Sequence, residues 1–308
     1  MSLQNILVKN ALKAIRLRSS TVAPNNFVAI RKGFEDACKN NPKQRGVKYR
    51  AIDIDAIRGE WVLPEKADNQ KVVLYFHGGG YAIGSIVTHR PLASRIAFDA
   101  EMPLLLFNYR LAPEDPYPAA LHDAVKVYRW LLDTDYEAHN ISFCGDSAGA
   151  GLVLATLMYL RDKKLPLPAC AVLFSPWTDL AATGNSLTLN AKLDPFIDLK
   201  SIHLWSRTYA NGTALTDPYI SPLYGSYKGL PPLYFQVGTE EILYDDTIRT
   251  ARRAEAEGVA VQLEVWDDMV HVFHMFWQWL PEAKKAIGLV ANFMKEKTGK
   301  PNGFGSRS

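Results

Sequence analysis

Ser147 stands at the centre of Gly145-Asp146-Ser147-Ala148-Gly149, a G-x-S-x-G pattern, and His77-Gly78-Gly79-Gly80 lies upstream of it. A serine hydroxyl is a poor nucleophile at neutral pH. Chemistry at Ser147 therefore needs an imidazole to take its proton and a carboxylate to hold that imidazole in the right tautomer. The spacing suits a sharp strand-to-helix turn that lifts the hydroxyl above a sheet, with glycines where a Cβ would collide. Three consecutive glycines let a carbonyl oxygen approach the backbone closely. The N–H groups of Gly78 and Gly79, with that of Ala148, are thus expected to bind the oxyanion of a tetrahedral intermediate, each donor worth about 3 kcal/mol of barrier. The implied chemistry is acyl transfer to water.

In the strand-turn-helix setting the partners follow in the order Ser, Asp or Glu, His, which restricts the base to His203, His271 or His274. His271 comes shortly after an apolar strand pattern at 261–266, at the carboxyl end where ligands meet α/β sheets. His274 lies deeper in an apolar run and reads as a hydrogen-bonded core residue, and His203 as a surface or packing residue. The acid should follow the strand pattern at 233–237, where Glu240, Glu241, Asp245 and Asp246 are available. Asp245 and Asp246 precede a helical pattern and suit N-cap or first-turn positions. Of Glu240 and Glu241, neighbours in a loop, one is expected to face inward.

The elements that must position these groups are legible as periodicity. Buried-type strands are predicted at 72–76, 104–109, 141–144, 170–175, 233–237 and 261–266, alternating with helices at 89–100, 119–132, 148–161, 247–257 and 282–297. This predicts an α/β fold, a mostly parallel central sheet flanked by helices. Residues 47–178 form its first part and 231–298 its second; a strand is read at 48–58. Between them, 179–230 loses the rhythm apart from one helix at 199–209. The segment is read as a helical cap insertion, because a structureless loop of that length is improbable in a compact domain. Residues 1–46 carry two amphipathic stripes, Leu3, Ile6, Leu7, Ala11, Ala14 and Ile15, then Phe27, Ile30, Phe34 and Cys38, and are expected to contribute helices to the cap. The small, polar tail 299–308 is expected to be disordered.

Composition narrows the classes. A net charge of +3 over 308 residues, with basic residues concentrated only at 9–18, leaves no footprint for nucleic acid. No stretch approaches the ~20 apolar residues needed to span a bilayer. Three cysteines without C-x-x-C spacing argue against a disulfide framework or thiolate zinc site and for a reducing, cytoplasmic setting.

In these motifs, together with Tyr109-Arg110-Leu111-Ala112-Pro113-Glu114, Pro118-Ala119-Ala120, Asp217-Pro218-Tyr219-Ile220-Ser221-Pro222-Leu223 and Gly229-Leu230-Pro231-Pro232, the chain resembles the hormone-sensitive-lipase-like (bacterial family IV) esterases of the α/β-hydrolase superfamily, which implies the α/β-hydrolase fold with a helical cap. The resemblance runs from about residue 71 to 293. The family's acid opens an Asp-Pro-Leu-x-Asp pattern, which stands here as Glu241-Ile242-Leu243-Tyr244-Asp245. The resemblance therefore selects Glu241 over Asp245, with Glu in place of Asp. It also implies short- to medium-chain acyl esters as substrates, no metal and no organic cofactor. Trp205, Tyr209, Tyr81 and Trp177 are candidates to line the pocket. Amides remain an alternative substrate class, as in an amidase or formamidase, and a non-catalytic small-molecule receptor on the same fold is the more distant one. Oligomeric state, a homodimer included, is left open.

Overall fold

Short runs of Val, Leu, Ile and Phe between turns bury fully only in a sheet covered on both faces, and the chain folds accordingly. The computed structural model describes residues 2–19, 23, 25–134 and 136–299. Two helices, α1 (Leu3–Ser19) and α2 (Phe27–Cys38), precede the strands β1 (Val47–Ile54), β2 (Ile57–Pro64) and β3 (Val72–Phe76). Then follow α3 (Ile86–Ala100), β4 (Leu104–Phe107), α4 (Ala119–Leu132), β5 (Ile141–Asp146), α5 (Ala148–Asp162) and β6 (Cys170–Phe174). After α6 (Ser186–Leu189) and α7 (Leu199–Ala210) the sheet resumes with β7 (Leu233–Gly238), α8 (Tyr244–Ala256), β8 (Val261–Trp266) and α9 (Pro281–Lys297).

The eight strands form one sheet in the order β1-β2-β4-β3-β5-β6-β7-β8. β2 is antiparallel to both β1 and β4, and the remaining neighbours are parallel. Because side chains alternate along a strand, each strand feeds two cores. Val72, Leu74 and Phe76 of β3 enter the one shared with α4, α5 and α8, while Val73 and Tyr75 enter the one shared with α3 and α9. The carboxyl ends of β3, β5, β6 and β7 lie side by side, and the candidate residues sit there or in the loops that follow.

Two local expectations are corrected. The run at 48–58 is not one strand: Asp55 and Ala56, both at positive φ (45° and 71°), turn the chain into a β1–β2 hairpin with Ile54 opposite Ile57. A two-residue turn of this kind usually carries glycine, and its absence hid the hairpin. In α1 the expected apolar stripe faces outward, Leu3, Ile6 and Leu7 being 70, 41 and 61% exposed, and Ala11 is exposed too. The side chains of Ala14 and Ile15 lie outside the described residues. The buried face is instead Asn5, Val8, Lys9 and Leu12. Polar anchors set this rotation: Asn5 Nδ2 donates to the carbonyl of Asp268 at 2.9 Å, and Lys9 Nζ pairs with Glu240 at 2.8 Å. The tail read as disordered lies outside the described residues except for Gly299, whose N–H donates to the carbonyl of His139. Among the described residues no helix is long and apolar enough to cross a membrane.

A close junction joins α5 and the end of β3. A Cβ at Gly149 would overlap the carbonyl oxygens of Phe76 and His77, so helix and strand meet backbone to backbone. Gly149→Ala should therefore destabilise the fold by about 1–3 kcal/mol, the usual cost of overfilling a packed site. Urea denaturation checks this, and an unchanged midpoint would show that the junction yields freely.

Candidate active site

β5 ends at Asp146 and α5 begins at Ala148, so Ser147 alone makes the turn, at φ 53° and ψ −123°. For a residue with a side chain this region costs of order 1–3 kcal/mol and persists only where its surroundings enforce it. Here they do. The Ser147 N–H donates to Phe174 O at 2.9 Å, and its carbonyl accepts from Gly151 and Trp177 at 3.1 and 3.0 Å.

The glycine run follows β3 and folds back on itself. Ile83 N donates to Gly79 O at 2.9 Å. His77 is buried and stacked on Tyr109 with ring centroids 4.2 Å apart, and the Tyr109 hydroxyl donates to the His77 carbonyl at 2.7 Å. Burial pushes the His77 pKa down to about 3, so this ring is neutral and structural. The Gly78 amide, an expected oxyanion donor, is engaged within the protein: it donates to Asp146 Oδ1 at 3.0 Å and lies 3.3 Å from His89 Nε2. The amides of Gly79, Gly80 and Ala148 have no acceptor among the described residues.

His271 follows β8 by a short loop and is buried. Its Nδ1 lies 2.8 Å from Glu241 Oε2. Burial disfavours the charged ring, but the hydrogen bond and negative charge of Glu241 outweigh it, and the His271 pKa is raised above its ordinary value. Glu241 is itself fixed: Oε1 accepts from Ser175 Oγ at 2.7 Å and from the Gly238 amide at 2.6 Å. Ser175 Oγ in turn accepts from the Val272 N–H at 3.1 Å. That bond helps hold Val272, a β-branched residue, at φ 46°, a backbone region such residues normally avoid.

The other candidates go elsewhere. Asp245 Oδ2 accepts from Ser186 N at 3.0 Å in the first turn of α8, tying that helix to α6. Asp246 is buried and accepts from the amides of Thr178 and Asp179; burial, with Asp179 nearby, raises its pKa to about 8. Glu240 faces Lys9. His274 Nε2 meets Gln236 Oε1 at 2.9 Å and is held neutral by burial, with a pKa of about 3. His203 is exposed on α7.

The segment between β6 and β7 fastens onto the acid loop. Asn190 Nδ2 donates to the carbonyls of Thr239 and Glu241 at 3.0 and 2.8 Å, and Asp194 Oδ2 accepts from Ile242 N at 3.0 Å. Phe196 approaches His271 with ring centroids 6.0 Å apart. From α7, Tyr209 stacks on Tyr81 at 3.7 Å, and the Trp205 ring occupies the space a side chain at position 80 would need. Tyr81 also approaches Trp177, at 6.1 Å.

A family model described as alpha/beta hydrolase fold matches residues 73–275, a span that holds the elbow, the glycine run, Glu241 and His271. The chain belongs to the α/β-hydrolase fold family. This hydrolase is 42% identical over 248 residues to an acetyl-hydrolase of Streptomyces hygroscopicus, covering 80% of this chain and 83% of that one. It is 35% identical over 273 residues to an esterase of Acinetobacter venetianus, covering 88% and 89%. Among solved structures it is similar to an esterase from the bacterial hormone-sensitive lipase family, with TM-score 0.92, 39% identity and coverage of 97% and 99%. An esterase/lipase from an uncultured bacterium matches with TM-score 0.89, 39% identity and coverage of 96% and 99%. The hydrolase is a carboxylic-ester hydrolase of the hormone-sensitive-lipase-like group.

Of the residues that sequence reasoning named, the structure brings His271 and Glu241 into contact; sequence reasoning missed Ser175, which holds Glu241. Ser175 had a readable signal, since it directly follows a strand at the sheet's functional edge. The electrostatics of the pair are measurable. Because the Glu241 charge favours the protonated ring, Glu241→Gln should move the His271 titration midpoint down, below the wild-type value. Ring-proton NMR across pH 4–9 reads this directly, and an unmoved midpoint would dissociate the two side chains.

Proposed function

We propose that this esterase hydrolyses short- to medium-chain acyl esters through a Ser147–His271–Glu241 triad and an acyl-enzyme intermediate. The 2.8 Å contact between His271 Nδ1 and Glu241 Oε2 carries the reading. With Nδ1–H directed at the carboxylate, Nε2 is left as the basic nitrogen. Ser147 Oγ attacks the ester carbonyl as Nε2 takes its proton. The carbonyl π pair becomes the oxyanion, and its collapse expels the alkoxide, which receives the proton from Nε2. Water then attacks the acyl-serine by the same route, releasing the carboxylic acid and restoring Ser147. The oxyanion is assigned to the amides of Gly79 and Ala148, with Gly80 in the place expected for Gly78, whose amide is committed to Asp146. Residues 179–230 and the two N-terminal helices are assigned as a cap, with Trp205, Tyr209, Tyr81 and Trp177 as pocket candidates. Short esters suit a site into which these rings crowd.

Ser147→Ala should abolish turnover of p-nitrophenyl butyrate and the acyl adduct detected by mass spectrometry on quenching; substantial remaining turnover would remove Ser147 from the role. Glu241→Gln should lower kcat by roughly 10³- to 10⁴-fold, because an amide donor facing Nδ1 reverses the tautomer, whereas Asp245→Asn should stay near wild type. The reverse ranking would reassign the acid. The base must be neutral, so kcat/KM should rise with pH through an acid limb above about 6.5, the ordinary histidine value, in line with the raised His271 pKa. A limb below that value would contradict Glu241 as its partner. Rates across rising acyl lengths, with matched amides, test the substrate class.

A further inference from the structure

Asp146, the unassigned middle residue of Gly-Asp-Ser, is a buried carboxylate one residue from the nucleophile. A buried charge is costly unless fully partnered, and this one has partners on three elements. Oδ1 accepts from the Tyr75 hydroxyl of β3 at 2.8 Å and from the Gly78 amide of the glycine run at 3.0 Å. Oδ2 lies 3.3 Å from His89 Nε2 in the first turn of α3. Although burial opposes ionisation, His89 and the Tyr75 hydrogen bond hold the Asp146 pKa below the ordinary carboxylate value, so the anion persists.

His89 is oriented as tightly. Thr88 Oγ1 donates to the Ser85 carbonyl at 2.9 Å, leaving it to accept from His89 Nδ1 at 2.8 Å. The ring's Nε2 lies 3.3 Å from both Asp146 Oδ2 and the Gly78 amide nitrogen. Phe34 of α2 covers the ring edge-on at 6.3 Å, and Ser85 Oγ donates to Glu35 of the same helix at 2.6 Å. The fit around Gly78 is close: a Cβ there would overlap Asp146 Oδ2.

We propose that Asp146 and His89 are positioning residues for the oxyanion loop: Asp146 draws the Gly78 amide inward so that those of Gly79 and Gly80 face the substrate carbonyl, and His89 braces the Asp146 carboxylate and the Gly78 amide from α3. This rests on the oxyanion assignment above. Because its acceptor is the Asp146 carboxylate, the bond from Gly78 is charge-assisted and holds the loop more firmly than a neutral pair would. The same residue is joined covalently to the nucleophile, so nucleophile and oxyanion donors share one anchor.

The test uses Asp146→Asn, His89→Gln, their double variant and Tyr75→Phe in the full chain. For each, thermal melts, kcat and KM for p-nitrophenyl butyrate are measured. So is inhibition by a trifluoromethyl ketone, whose adduct carries the oxyanion, and by the corresponding secondary alcohol, which forms none. Asp146→Asn and His89→Gln should each lower kcat by roughly 10- to 10³-fold, the range for a lost oxyanion donor, with KM changed less than about threefold. Affinity for the ketone should fall in parallel while that for the alcohol holds. Tyr75→Phe should follow in the same direction more weakly, and the double variant should lose less than the product of the single losses. Folded variants that keep wild-type kcat and ketone affinity would overturn the proposal, as would equal losses for ketone and alcohol. Should Asp146→Asn fail to fold, His89→Gln and Tyr75→Phe decide by the same readouts. Full activity in Ser147→Ala would instead remove the underlying triad assignment, an outcome distinct from any of these.

Discussion

The site depends on one backbone contact, the meeting of the first turn of α5 with the carboxyl end of β3. Gly149 lies against the carbonyls of Phe76 and His77, so elbow and glycine run are brought within reach of each other by the chain itself rather than by side chains. The unfavourable torsions of Ser147 follow from this closeness. They are held by three backbone hydrogen bonds from the β6 end and from α5, and Ser147 has little freedom to relax.

Around that contact two buried carboxylates divide the electrostatic work. Glu241 raises the proton affinity of His271 and is held by Ser175 and the Gly238 amide. Asp146, the residue before Ser147, engages the glycine run. Each carboxylate is surrounded by donors from several elements, in surroundings where an unpartnered carboxylate would be expensive.

The parallel strands and their crossover helices were legible because buried runs and amphipathic stripes have distinct periods. The candidates Ser147, Glu241 and His271 were legible because the fold orders such groups along the chain and puts them after strands. Glu241 needed the family pattern, since four carboxylates shared one loop and periodicity could not rank them. What stayed hidden depended on tertiary geometry. Gly78 looked like an oxyanion donor until its amide was seen to be taken by Asp146, a contact 68 positions away in sequence. The outward stripe of α1 failed for a related reason. Its rotation is governed by Asn5 and Lys9 reaching Asp268 and Glu240, so a few specific polar contacts overrode the hydrophobic pattern.

The Tyr75–Asp146–Gly78–His89 cluster bears on how the elbow can be transplanted. A five-residue string copied into another strand-turn-helix would bring an aspartate with no hydroxyl, amide or imidazole to receive it, and the charge would move toward solvent or take up a proton. The portable unit is larger: the end of β3 with its tyrosine and glycines, the start of α3 with Thr88 and His89, and the elbow between them. In engineering terms the middle letter of Gly-Asp-Ser is an address as much as a residue, meaningful only on a scaffold that supplies its three correspondents.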